Sequence, residues 1–479
     1  MQTRMNFKIK TGYGAGSFLE AGFYNFATSY FLLYLSSVAL LTPEMAGLVC
    51  SGAVLFEAIG GVIAGRISDR YTGKNGRRRP FMIVSSLLLF LFFNGIFLDY
   101  GCSDLLRSII YFCLISLFWF FYSVYYVPYI ALGAEICSDY EERTSLRTYA
   151  RFFAILGNLV CTAATFMIVG ALNDAGLTPH RAWQLFAFLV AATCCISGII
   201  SWKMTAGLEP AEHSINNNAV SEPFWKVLKD YFDLMKLKSF FLVTASRSLF
   251  LLAYTFYTTS MTYFVKYNLN LSDVGASSTF FMGIAASLVS MPIISWLAKI
   301  IGKQQQIIFS LLFSSVGSML LYFTGVDTYG KVLIYVCLFS YAHSNCWQLF
   351  YSIFYDISEV DEFANGKRRE GSISSLTSVM GTIMVSVSIW ITGILLKAAD
   401  YDATLLQQSE ETLKVIEFAF IMLPSICLIL AAVVLKLYPM NKERFEILKE
   451  AIKAKQEGRS VEKYLPEIGI LFWKRELKD

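Results

Sequence analysis

The chain has 479 residues, of which 56% are apolar and only 16% charged, and its mean hydropathy is +0.52; ordinary soluble domains run nearer 45–50% and about 25%. These figures exclude a water-soluble enzyme, a disordered chain and a disulfide-rich secreted scaffold, and the long continuous apolar runs exclude a transmembrane β-barrel, whose strands alternate over about 10 residues. The net charge is +4, and Lys and Arg collect in short hydrophilic breaks, which argues against a nucleic-acid partner.

The N-terminus, MQTRMNFKIK, is charged and leads through a glycine-rich step into an apolar run without a small-residue cleavage site, so it reads as a retained first span. With about 20 apolar residues needed per bilayer crossing, the runs predict spans at 17–40, 45–68, 80–100, 105–136, 145–173 and 182–207, then at 239–265, 272–299, 305–325, 331–357, 371–398 and 415–437. The expected fold is an all-α membrane protein with twelve transmembrane helices in two six-helix bundles, residues 1–207 and 239–437. Residues 208–238 read as a cytoplasmic linker holding an amphipathic helix, FWKVLKDYFDLMKLK. Residues 438–479 read as a cytoplasmic tail opening with a charged surface helix, NKERFEILKEAIKAKQEG.

Basic residues set the orientation. The breaks after even-numbered spans carry Arg70, Lys74 and Arg77 to Arg79, then Arg143 and Arg147, then Lys226, Lys229, Lys236 and Lys238, then Lys303, then Lys367 to Arg369. Those breaks therefore face the cytoplasm, so the chain is expected to be a multi-pass protein of the cell (inner) membrane with both termini cytoplasmic. PYIALGAEICSDYEERTSLRTYARFFA and FYSIFYDISEVDEFANGKRREGSISSL each pass from an aromatic helix end through acids and bases into a small-residue helix. Such an echo is what parallel six-helix halves produce, and with twelve spans it points to a secondary transporter in the lipid bilayer; the chain is expected to act as a monomer. The ten cysteines lie mostly inside apolar runs without a CxxC pair, so they read as packing residues, with no metal or other cofactor.

Charged clusters at the cytoplasmic ends are candidates for a gate that forms ion pairs in one state and breaks them in another. They are Asp69, Arg70, Arg77 and Arg78 after span two, Glu135, Asp139 and Arg143 after span four, and Asp356 and Arg368 after span ten. Ionisable groups at bilayer depth are costly and are functional candidates by default. Glu57 lies midway along span two, Glu20 near the start of span one, and Arg151 on span five with Asn158 two turns on. Arg247 sits in span seven, and His343 and Trp347 in span ten. Tyr122 and Tyr126, one turn apart on span four, offer aromatic faces with hydroxyl handles that suit a sugar ring or another amphipathic ligand. Glu20, Tyr122, Tyr126, Arg151, Asn158, His343 and Trp347 form the expected substrate set.

GYGAGSF before span one, SDRYTGKNGRRRPF after span two and DISEVDEFANGKRREGS after span ten together resemble the glycoside–pentoside–hexuronide:cation symporters, the melibiose permease group of the major facilitator superfamily. The resemblance implies two six-helix bundles of the major facilitator type, alternating access, and symport of a small sugar with H+ or Na+ as the coupling ion. It implies a cation site on span two, where Glu57 matches the first acid and Gly61 stands in place of the second; Arg151 matches the helix-five arginine, Tyr126 replaces the helix-four acid, and the helix-eleven lysine has no counterpart. A single carboxyl suits a proton better than Na+, which prefers several oxygen ligands, so Glu57 is expected to carry a proton. Transport of an amphipathic lysolipid, or ligand sensing without transport, stands as the alternative.

Overall fold

The computed structural model describes residues 6–71, 73, 76–136, 140–208, 231–269, 271–366, 369–405, 407–457 and 459–472, and among them there is no strand. The spans begin and end on ordinary helix chemistry. Asn6 caps span one (Phe7–Ser37) by accepting from the Lys8 N–H at 3.3 Å. Proline, whose missing N–H costs nothing in a first turn, starts spans two (Pro43–Arg70), three (Arg79–Ile96) and six (Pro179–Met204). Span four is Asp104–Ile136, and span seven starts at Lys238. Spans eight (Asp273–Ile301) and nine (Lys303–Phe323) are separated by Gly302 alone, at φ 90°. Span ten (Tyr329–Asn365) stops at Gly366, which takes the left-handed conformation at φ 65° and returns its N–H to the Glu362 carbonyl. Span eleven is Glu370–Ala398, and Glu410–Lys436 forms the last span.

Among the described residues ten of the expected spans are long and apolar enough to cross a bilayer by length and composition. Spans one and ten, 31 and 37 residues long, are not among the ten, because they carry more polar groups, Glu20 and Asn25 in one, His343, Asn345 and Gln348 in the other. The glycine-rich GYGAGSF is not a step before span one but part of its helix. Its glycines are buried against neighbours, Gly12 against Met204 and Gly16 against the Tyr129 ring, so they permit close packing instead of breaking the helix. Span five is not one uninterrupted helix: Tyr140–Asn158 passes through a π-turn at Leu159–Ala163 into Thr165–Asp174.

The chain groups into two compact units. The first comprises Met1–Ser221, Thr258–Phe281 and Val385–Glu417. Its helices approach at glycines: a β-carbon built at Gly157 of span five would lie 2.5 Å from the Phe18 carbonyl of span one, and one at Gly60 of span two 2.6 Å from the Phe120 carbonyl of span four. At the end opposite Arg77–Arg79, the tips of spans seven, eight, eleven and twelve belong to this unit. There Ser36 meets Tyr263 at 2.7 Å and Ser37 meets Tyr401 at 2.8 Å, Ser386 donates to the Ser51 carbonyl at 2.8 Å, and Glu44 pairs with Lys397. A β-carbon at Gly393 would lie 2.9 Å from the Gly47 α-carbon.

The second unit comprises Glu222–Tyr257, Met282–Met384 and Phe418–Asp479. Tyr257 stacks on Phe339 at 4.0 Å, and the Tyr335 hydroxyl donates to the Phe420 carbonyl at 2.6 Å. The tail helix, Lys442–Gln456, is docked and not merely a solvated surface helix: Leu448, Ala451 and Ala454, repeating at helical spacing, are buried. Lys455 donates to the Phe363 carbonyl at 2.6 Å, and Ser239 to the Leu471 carbonyl at 2.8 Å. Of the expected linker helix, residues 231–236 are helical and 224–230 lie outside the described residues.

Gly157→Ala is expected to cost about 1–3 kcal/mol, the usual penalty for overpacking, read as a lowered Tm of the detergent-solubilised protein. Gly101→Ala, at a position with nothing within 4 Å, serves as the control and leaves Tm unchanged.

Candidate functional site

In the first unit the polar groups converge on span one. The Tyr122 hydroxyl donates to Glu20 Oε1 at 3.4 Å, a long bond, and Tyr122 is itself buried at 2% exposure. Tyr24 packs edge-on against Trp119 at 5.7 Å and beside Tyr122 at 5.8 Å. Tyr126 stacks on Tyr122 at 5.9 Å with planes 9° apart, as their one-turn spacing predicts. Arg151 and Arg147 act on the Glu20 carboxylate electrostatically, while Glu20 and Glu57 both act on Tyr122, so both acids lie near that ring. The Glu57 carbonyl accepts from Ser123 at 2.5 Å, binding span two to span four. At the position one turn on, Gly61 faces Val127 and Ser123, so no second acid approaches from that turn. Tyr122 thus holds the acid, while the half-buried Glu20 and Tyr126 and the exposed Arg151 form the accessible side.

The remaining tyrosines of span four have structural partners. Tyr129 bonds Ser17 at 2.7 Å and the Tyr13 carbonyl at 2.9 Å, and Tyr125 bonds the Gly16 carbonyl at 3.2 Å. Asn158 is half-buried and directly precedes the π-turn, a local distortion found mostly at functional sites. The turn re-aims its backbone, and the Thr162 carbonyl within it accepts from Tyr30 at 2.9 Å.

In the second unit His343 and Trp347 come together, with a partner that spacing on one helix does not reveal. His343 stacks on Tyr254 of span seven at 4.6 Å and meets Trp347 edge-on at 6.2 Å. Arg247, seven residues before Tyr254 and so on the same side of span seven, lies 5.9 Å from the Trp347 ring and 5.5 Å from Tyr351. An arginine at the centre of a spanning helix costs about 2.5–3.5 kcal/mol, and each ring contact returns about 0.5–2 kcal/mol, so such a cage can hold the charge without a carboxylate. Arg247 is visible in the sequence as an intramembrane charge; Tyr254 is signalled only by its spacing from it.

Several gate candidates have bonded partners in the same unit. Glu135 is the acceptor for Arg77 and for Arg78, whose Nε and Nη2 reach it at 3.1 and 3.0 Å. Arg78 Nη1 also donates to Ser68 at 2.7 Å, and Arg79 caps the end of span six through two bonds to the Trp202 carbonyl, 3.0 and 2.7 Å long. In the second unit Asp356 binds Lys303 at 3.0 and 2.9 Å, and Arg369 binds Asp361 at 2.8 and 2.6 Å. The side chains of Asp69, Arg70 and Arg143, and residues Asp139 and Arg368, lie outside the described residues. Lys10, paired with Glu142 at 2.8 Å, joins the set without a sequence signal beyond its charge.

A bundle of apolar helices with a few interior charges, acid–base clusters at its ends and polar groups facing accessible space defines a membrane transporter, not an enzyme. The chain belongs to the MFS/sugar transport protein family, whose model matches residues 12–442, and is a multi-pass membrane protein of the major facilitator superfamily. It is similar to an uncharacterized symporter of Bacillus subtilis, 25% identical over 90% of this chain and 91% of that one. It is also similar to the isoprimeverose transporter of Lactiplantibacillus pentosus, 21% identical over 88% and 86%. Its fold matches the crystal structure of a D-xylose–proton symporter with a TM-score of 0.64 at 14% identity, over 90% of this chain and 97% of that one.

Glu135→Gln keeps an acceptor but removes the charge facing two arginines at a largely buried position, 19% exposed, and is expected to cost about 1.5–3 kcal/mol. Lys397→Met breaks a pair exposed at 58% and 47% and is expected to cost less than about 1 kcal/mol. Thermal unfolding of the two variants in one detergent compares them directly; equal losses would remove the special standing of Glu135.

Proposed function

We propose that the protein is a cation-coupled symporter of a small sugar, a glycoside, pentoside or hexuronide, working by alternating access with a proton as the coupling ion. The observation that carries this reading is that Tyr122, which bonds Glu20 at 3.4 Å, feels both Glu20 and Glu57, with Arg151 acting on Glu20. Protonation of Glu57 changes the charge near Tyr122, and Tyr122 bonds Glu20, so proton binding and sugar binding are coupled electrostatically through that tyrosine. Glu20 and Arg151 orient hydroxyls as acceptor and donor, while Tyr126 offers a ring face to the apolar side of the sugar. The single carboxyl at Glu57, with Gly61 one turn on, supports H+ over Na+. Asn158 in the first unit and His343 and Trp347 in the second are further candidates for sugar contact, and the ion pairs of Arg77 and Arg78 with Glu135 and of Lys303 with Asp356 support a gating role for those clusters. The basic breaks support a cytoplasmic placement of both termini, and a complete set of candidate residues in one chain supports a monomer.

In proteoliposomes a pH step of about one unit is worth about 1.4 kcal/mol per proton and can concentrate sugar about tenfold at one-for-one coupling. Glu57→Gln is expected to bring that accumulation ratio down to about one, with sugar then only equilibrating across the membrane. Undiminished accumulation by the variant, or accumulation driven equally by a sodium gradient at constant pH, would overturn the assignment of the proton to Glu57.

A further inference from the structure

Arg247 is 9% exposed, and its guanidinium has an unusual set of neighbours for a charge at that depth. Nη1 donates to the Thr377 carbonyl at 3.0 Å. Trp347, Tyr351 and Phe354 surround the group at 5.9, 5.5 and 6.0 Å. Span eleven approaches with Gly381, where a β-carbon would stand 3.7 Å from Nη1. Among the described residues no carboxylate pairs with it, and Nε and Nη2 have no protein acceptor, yet neither is sealed in protein. By contrast Arg78 and Arg79 have two or more of their nitrogens bonded to protein acceptors.

The geometry points to Arg247 as an anion-recognition residue that takes the carboxylate or sulfonate of an acidic sugar. This deepens the reading of the protein as a sugar transporter and rests on it. The Nε–H and Nη2–H bonds of a guanidinium point the same way, side by side, and match the two oxygens of one carboxylate or sulfonate in a bidentate pair. That edge is the one without a protein acceptor, while the Thr377 carbonyl fixes the opposite nitrogen and the three rings fix the plane. The Trp347 ring, shared between Arg247 and His343, offers a face to the sugar next to the anionic group. A neutral sugar would leave the cation without a counter-charge in a region of low dielectric; an acidic one supplies it.

The test is counterflow in proteoliposomes with matched pairs of probes differing only at C6, phenyl β-glucuronide against phenyl β-glucoside and phenyl β-galacturonide against phenyl β-galactoside. The expected result is that the wild type exchanges at least one acid better than its neutral partner, and that Arg247→Gln lowers that acid-to-neutral ratio by about tenfold or more, the loss of one charge-assisted bidentate contact. Arg247→Lys, which keeps the charge and loses the fork, is expected to fall between the two and provides the measurement if the glutamine variant does not fold. A ratio unchanged by either substitution, or a wild type with no preference for an acid in either pair, would overturn the assignment of Arg247. Exchange of none of the four probes would overturn the sugar-transport reading itself, and this one with it.

Discussion

Gly157 has no side chain, and the Phe18 carbonyl of span one stands where one would be. Lipid tails are as apolar as leucine, so helices in a bilayer are held by close packing and short polar contacts, and both require backbones to approach. The same device brings span two to span four at Gly60 and Phe120. Spans one, two, four and five are thereby close enough for Glu20, Glu57, Tyr122 and Arg151 to act on one another. A bulkier residue at either glycine would separate the helices and leave those polar groups without partners in a medium that punishes it.

The interior and terminal arginines are held in different ways. Arg78 and Arg79 at the helix ends bond a carboxylate, a hydroxyl and a carbonyl, which makes them fasteners of the helices they join. Arg151 works against the Glu20 carboxylate, so its charge is balanced within the first unit while the pair stays accessible. Arg247 is steadied by rings and one carbonyl, contacts that stabilise a cation without neutralising it. A transporter needs groups of the latter two kinds, because a side chain whose every donor is bonded to protein has nothing to offer a passing ligand.

Much of this was legible in the chain. Glu20, Glu57, Arg151 and His343 stand out as ionisable groups in apolar runs, and the one-turn spacing of Tyr122 and Tyr126 puts them on one helix face, where their rings stack. Less legible were relations across long sequence separations. Tyr254 and His343 are 89 positions apart yet stack at 4.6 Å, and the tail that reads as solvated by its charge buries Leu448 and Ala451. The glycines of GYGAGSF resemble a loop in sequence because glycine is a weak helix former in water; in a tightly packed bundle the same residues mark helix contacts.

By itself the sequence determined the solvent this protein lives in, the order of its spans and which residues bear charge within them, because the cost of exposing or burying each side chain in a bilayer is a local property of the residue. Only the tertiary structure decided which charges are bonded to protein and which are left for a ligand. That depends on what stands within a few ångströms of each group, and the partners of Glu20, Arg78 and Arg247 described above come from other helices.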